Sequence, residues 1–328
     1  YPSIIKSVGW GNVAKERRTD PVLASILDNL WDQSKHQPGI YHQQIVDDNG
    51  DSPSGLEILE VVKHILRYVK GCGNAALTKD IRTREMAPVD NGLVNAIDNL
   101  HAQDGPSPRS QVTMGVTQQP GFPYRHYLWT EIYPSPVRAK KANEFDDGQL
   151  QISPAKPNRY WRLVDRRVKV TIAFCRNLRE RIKQLSPVDQ AKPLEWPLVE
   201  VGYSNNCVNR LYEHASHYNS NYLMGLFDAY LTELRSRQPG TIKKAYHIDQ
   251  TVIFLIFQPW MAELAKIAMI KLAEAYLENG GGFTHYPPGL SNSSAYSVSS
   301  LVWSKAEMYV AQNLARNMNR KKELEATE

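Results

Sequence analysis

Apolar residues recur at helical spacing along much of this chain and give way to short extended runs at a few points, a pattern that predicts a mixed α+β protein. Asp20-Pro21 supplies an N-cap and a proline for the first helical position. Val22, Ile26, Leu27 and Leu30 then follow at helical intervals and predict a helix over 21–34. Pro38 ends it, and Gly39–Val46 reads as a strand closed by the turn Asp47-Asp-Asn-Gly50. Leu56, Leu59, Val62, Ile65, Leu66 and Val69 mark an amphipathic helix stopped at Gly71. Leu93, Val94, Ile97 and Leu100 mark another, stopped by Gly105-Pro106. Prolines and glycines crowd residues 105–157, so this part reads as loop with short strands such as 124–133.

Further on, Val168, Ile172, Phe174, Leu178 and Ile182 give a helix with an apolar stripe and a cationic back. Pro187 and Pro193 separate it from a strand that starts at Leu198 and runs through Gly202 into a helix bearing Arg210 and His214. A helix with Leu223, Leu226, Phe227, Tyr230, Leu231 and Leu234 inward ends at Pro239-Gly240. Residues 246–257 turn almost wholly apolar in their second half and are expected to be the buried centre of the sheet. A helix over 261–278, the run Gly280-Gly-Gly-Phe283, a polar linker over 291–300 and an amphipathic helix over 304–319 complete the chain, with Arg320-Lys-Lys322 behind the last of these. The expected fold is α+β, a small antiparallel β-sheet flanked by helices with a large, mostly helical insertion. Its parts are 1–50, holding the first helix and strand; 51–193, the basic insertion; 194–290, the core; and 291–328, the linker and C-terminal helix. A long insertion between paired strands is admissible because the entropy of closing a loop rises slowly with its length.

With 42% hydrophobic and 22% charged residues among 328, the chain has ordinary globular composition and material for a sizeable core. The longest apolar run, 252–257, is far short of the ~20 residues a membrane-crossing helix needs, so no membrane partner is expected. Cys72, Cys175 and Cys207 are far apart and form no CxxC pair, which argues against a disulfide framework or zinc site and favours a reducing intracellular compartment, the nucleus in a eukaryotic cell. Net charge is only +5, but it is unevenly placed. Between 159 and 183 stand Arg159, Arg162, Arg166, Arg167, Lys169, Arg176, Arg179, Arg181 and Lys183 against Asp165 and Glu180. Such a run suits nucleic-acid phosphates, and Arg166, Arg167, Lys169, Arg176 and Arg179 are the candidate contacts. Its plainer reading is the solvated face of a helix.

Arg210 and His214 are four residues apart and share one helix face. The Gly202–Arg210–His214 spacing resembles the second half of the motif of the GIY-YIG nuclease superfamily, in which a strand ending in Gly feeds a helix bearing Arg and His. Gly39-Ile40-Tyr41 resembles the first half. Residues 250–257 resemble the third strand, leading to a helix that contains Glu263. The sequence departs from the family at Glu200, where a second Tyr is expected, at Thr284, where Asn is usual, and in the long separation of the half-motifs. The resemblance implies a Mg²⁺-dependent DNA endonuclease, with Mn²⁺ as a substitute. Glu263 would hold the metal, Arg210 the scissile phosphate, Tyr41 would orient or deprotonate water, and His214 would play a supporting proton role. One carboxylate suffices in principle, because Mg²⁺ keeps several of its waters.

Plainer readings stand beside these. Arg210 and His214 could be the exposed face of an ordinary helix, and a first-turn Glu263 is favoured by the helix dipole whatever its function. Glu274 is a rival metal ligand; Glu200, beside Gly202, either joins the metal shell or disables the site by repelling the phosphate; His126, His217 and Tyr203 are weaker candidates. The competing functions are a catalytically inactive DNA-binding or protein-interaction module that kept the fold, and a helical interaction protein whose motif match is accidental. If Tyr41, Arg210 and Glu263 do not converge on one cleft, the nuclease reading and the inactive-module reading both weaken.

Overall fold

The structure, a computed structural model, describes residues 2–71, 128–132, 150–152, 160–215, 221–237, 240–285 and 293–325. In chain order the elements are α1 (Pro2–Gly9), α2 (Val13–Thr19), α3 (Pro21–Gln33), β1 (Gly39–Val46), α4 (Gly55–Gly71), β2 (Trp129–Ile132), β3 (Leu150–Ile152), β4 (Tyr160–Leu163), α5 (Asp165–Lys183) and α6 (Pro187–Gln190). They continue as β5 (Val199–Ser204), α7 (Cys207–Ala215), α8 (Tyr222–Arg237), β6 (His247–Leu255), α9 (Met261–Leu272), a 3₁₀ turn (Ser293–Ser297) and α10 (Ser300–Glu325).

Local chemistry explains the starts of several elements. Asp20 caps α3 by accepting from the amides of Val22 and Leu23 at 2.8 and 3.1 Å. Ser54 and Glu57 form a reciprocal capping box at the start of α4, and Glu57 also accepts from the Tyr246 hydroxyl at 2.8 Å. Asn221 caps α8 through the amides of Leu223 and Met224. The turn after β1 closes on Asp47, whose carboxylate accepts from Asn49 and Asp51, with Gly50 at φ 83° where a side chain would be strained.

The main sheet has the order β5-β1-β6, with both neighbours antiparallel to β1. Tyr41 lies opposite Gly202, so the strand at Gly39 is paired with the strand at Leu198 as the half-motif reading requires. The expected centre is corrected, however. β1, buried at all eight positions, occupies the middle, and the apolar 246–257 segment supplies an outer strand, β6. Within the insertion the short strand expected at 124–133 is found as β2, and it belongs to a three-stranded antiparallel sheet of order β2-β4-β3. The expected helix through Leu93 to Leu100 lies outside the described residues.

Two apolar clusters hold these layers. One joins α4, α5 and α8 through Tyr68, Phe174, Phe227 and Tyr230, with Phe283 packed edge-on against Phe227. The other surrounds the sheet and joins α1, α2, α3, α7 and α9 through Ile4, Leu27, Ile40, Leu211, Val252 and Ile270. Beyond α9, Phe283 donates its amide to the Val199 carbonyl at 2.7 Å, and the Thr284 hydroxyl accepts from the Val201 amide at 3.1 Å. The glycine-rich run is thereby fastened to the edge of β5. Among the described residues no helix is long and apolar enough to cross a membrane.

Candidate nucleic-acid cleft

Tyr41 leaves β1 on the same face as its cross-strand partner Gly202, and its ring lies over that glycine. A Cβ at position 202 would lie 2.1 Å from the Tyr41 Cζ and 2.2 Å from its Oη, so the ring occupies space that only glycine leaves open. The Tyr41 hydroxyl then stands 3.2 Å from Nε2 of His214, whose ring is buried, and the residues of this pair are 173 positions apart in sequence. His214 turns its other nitrogen, Nδ1, toward Glu200 Oε2 at 3.6 Å. With a proton on Nδ1, Nε2 accepts from the tyrosine; that tautomer is assigned from the geometry. Burial pushes the Tyr41 hydroxyl well above the usual tyrosine range, and the charge of Glu200 adds to the effect. Tyr41 is therefore a protonated hydroxyl at neutral pH.

Glu200, two residues before Gly202 on β5, shares this face of the sheet. Its pKa is pushed up to about 7, chiefly by burial, against the opposing pull of Asn221, Arg210 and Lys266. Its Oε2 is buried with no hydrogen-bond partner among the described residues. Gln43, beside it on β1, has neither side-chain atom partnered among those residues, and Gln250 on β6 donates to the Leu211 carbonyl at 3.0 Å. The sheet thus carries a polar row, Glu200–Gln43–Gln250, beneath α7.

Above Glu200 opens a cavity of about 490 Å³. Arg210 comes from α7, Arg166 and Arg167 from the first turn of α5, and Lys266 from α9; Asn221, Tyr222, Thr284 and His285 form the remaining polar wall. Arg210 also pairs with Glu213 at 2.9 Å. Lys266 is 6% exposed, and burial holds its ammonium below the usual lysine range, against the attraction of Glu200. His285, pushed down to about 4 by burial together with Arg167 and Arg166, is neutral and sits 3.1 Å from the Asn221 carbonyl oxygen. Among the lining residues, four basic side chains face a single carboxylate.

Tyr41, Arg210, Arg166 and Arg167 line the cleft, and His214 supports Tyr41 from behind. Glu263 does not join them. The buried face of α9 is Ala262, Lys266, Met269 and Ile270, and this register turns Glu263 to solvent and Lys266 inward. Lys169 and Arg176 are exposed, while Arg179 pairs with Glu180 at 3.2 Å, so among the described residues the basic segment meets the cleft through Arg166 and Arg167. Glu274, the rival metal ligand, lies beyond the end of α9 at Leu272, pairs with Arg181 at 2.6 Å and is not part of the cleft lining. Tyr203 lines the cleft and donates to Asn205 at 2.6 Å. His126 and His217 lie outside the described residues.

Sequence reasoning missed Lys266, Asn221, Tyr222 and His285. Lys266 had a signal: it is the one charged position that fits the stripe of Ala262, Met269 and Ile270. The donor set also bears on the expected metal. Glu263 faces away from the cleft, and the one carboxylate inside it, Glu200, already has an ammonium and a guanidinium as neighbours. Among the described residues no three His, Cys, Asp or Glu side chains gather as metal ligands. The cleft does not fit a Mg²⁺ ion held by Glu263.

Comparison of the chain with protein-family models, curated proteins and solved structures finds no match.

Proposed function

We propose that the protein is a DNA-binding module whose cleft seats a phosphate of the nucleic-acid backbone. The observation that carries this reading is the convergence of Arg166, Arg167, Arg210 and Lys266, from three separate helices, on one concave site with a single carboxylate. Guanidinium groups suit phosphate oxygens because their planar donors match them in pairs. Such contacts position a duplex without reading its sequence, so the binding is general and strongly salt-dependent. Kinship to the GIY-YIG nucleases is part of this proposal: the gathering of Tyr41, Gly202, Arg210 and His214 at one site supports it, and the exclusion of Glu263 from that site counts against it.

A second reading, phosphodiester hydrolysis, is favoured by the Tyr41–His214 contact and by Glu200. A carboxyl group that titrates near neutral pH is suited to taking a proton from water, and Arg210 and Lys266 would carry the charge that grows on the phosphate oxygens. Fluorescence anisotropy with a labelled short duplex, run across a salt series beside a plasmid-cleavage assay, separates the two. Salt-dependent binding without cleavage supports the module. Cleavage abolished by Glu200→Gln supports the hydrolase, and absence of binding at low salt defeats both.

A further inference from the structure

We propose that the cleft engages backbone phosphate without a divalent cation, the Lys266 ammonium supplying the positive charge that a metal would bring. This rests on the DNA-binding reading and adds to it a residue that the motif resemblance does not assign.

Three observations carry the proposal. Lys266 is more than nine-tenths buried and yet lines the cavity, so its ammonium is held at the site by a rigid helix instead of trailing in solvent. The register that turns it inward turns Glu263 out, which separates the expected metal ligand from Tyr41 and Arg210. Glu200, the carboxylate left in the cleft, has Lys266 and Arg210 as charge partners, and a divalent ion placed there would meet two fixed cations. A phosphate meets the reverse situation. Lys266 and Arg210 attract it from two helices, and only Glu200 opposes. Burial disfavours the ammonium by itself, but in so poorly hydrated a site its attraction for a phosphate is screened less than in water.

The test uses the whole 328-residue chain and a fluorescein-labelled duplex of about one helical turn, titrated in EDTA and again in Mg²⁺. Full binding in EDTA is expected, with Mg²⁺ bringing no gain and only the weakening that a competing counterion causes; Lys266→Met should weaken binding at least about tenfold, Lys266→Arg restore most of it and Glu263→Gln leave it unchanged. Mn²⁺ titrated alone and followed by electron paramagnetic resonance should show no site that Glu200→Gln or Glu263→Gln removes. Binding that requires Mg²⁺, or a Mn²⁺ site abolished in either Glu variant, overturns the proposal while leaving DNA binding intact. Absence of DNA binding in both buffers overturns the reading beneath it. Thermal melting checks each variant; should Lys266→Met fail to fold, the EDTA and Mn²⁺ measurements on the parent decide.

Discussion

Helices α7 and α9 make an instructive pair. Each follows a strand of the main sheet, and each sends a charged residue into the cleft. On α7 the inward residue is the one expected, because Cys207, Leu211, His214 and Ala215 are buried together and Arg210 lies at their border. On α9 the expected residue, Glu263, stands in the first turn, where a carboxylate suits the helix dipole, but its position is outside the buried stripe. What a helix presents to a site is decided by its whole apolar face and not by distance from its N-terminus. In α7 the two criteria coincide; in α9 the apolar face selects Lys266 and the distance from the N-terminus selects Glu263, and the sign of the charge delivered to the cleft is reversed.

The comparison can be broken most severely at the point that fixes the α7 side. Gly202→Ala places a methyl group within the Tyr41 ring. Overpacking of this kind costs about 1–3 kcal/mol, and more where neither neighbour can yield. A fall in melting temperature of several degrees with loss of DNA binding is expected in thermal unfolding and anisotropy. Gly202→Ala/Tyr41→Ala should recover much of the stability but not the site. An unchanged melting temperature in the single variant would mean that Tyr41 readily leaves the cleft.

Arg210→Ala probes the charge that α7 brings. Removing this charge-assisted hydrogen bond to phosphate should weaken duplex binding about tenfold or more. Replacing Arg166 and Arg167 together should lower the slope of log affinity against log salt by about 0.9 for each phosphate that is no longer neutralised. Replacing Arg176 should leave the slope unchanged, since that side chain lies on the outer face of α5. Equal slopes for the two would show that DNA lies along the exposed helix and not at the cleft.

The smallest effect concerns pH. Glu200 is faced by Lys266 from α9, by Arg210 and His214 from α7, and by Asn221 at the head of α8, with Tyr41 beside it on β1. Its folded pKa, near 7, lies above the ordinary glutamate value of 4.5, so the protonated form dominates below neutrality. Protonation removes the one negative charge that opposes a phosphate. Affinity should therefore rise by a few-fold from pH 8 to pH 6, and Glu200→Gln should bind with the low-pH affinity throughout. His285 and His42, both lowered to about 4, contribute nothing in that window. A variant as pH-dependent as the parent would assign the change to His214 or another group.

Much of the frame was legible in sequence because caps and turns are local. Asp20, the Asp47–Gly50 turn and the apolar stripe of α5 all behave as their spacing implies. The centre of the sheet was not legible, because His42, Gln43 and Gln44 look like solvent-facing positions in β1, and the apolar end of β6 looks more deeply buried. Their burial is set by layers on both sides of the sheet, which no window along the chain contains. For the same reason Tyr41, Arg210 and His214 could be named from their motif spacing, whereas Asn221, His285 and Lys266 reach the cleft through tertiary packing alone.

The central claim is that a backbone phosphate sits among Arg210, Lys266 and the first turn of α5. A crystal structure of the protein with a short duplex, grown in EDTA, tests it most directly. The account predicts a phosphate group within hydrogen-bonding reach of the Arg210 guanidinium and the Lys266 ammonium, above Gly202, with no metal between. A duplex bound along the outer face of α5 with the cleft free of phosphate would contradict it.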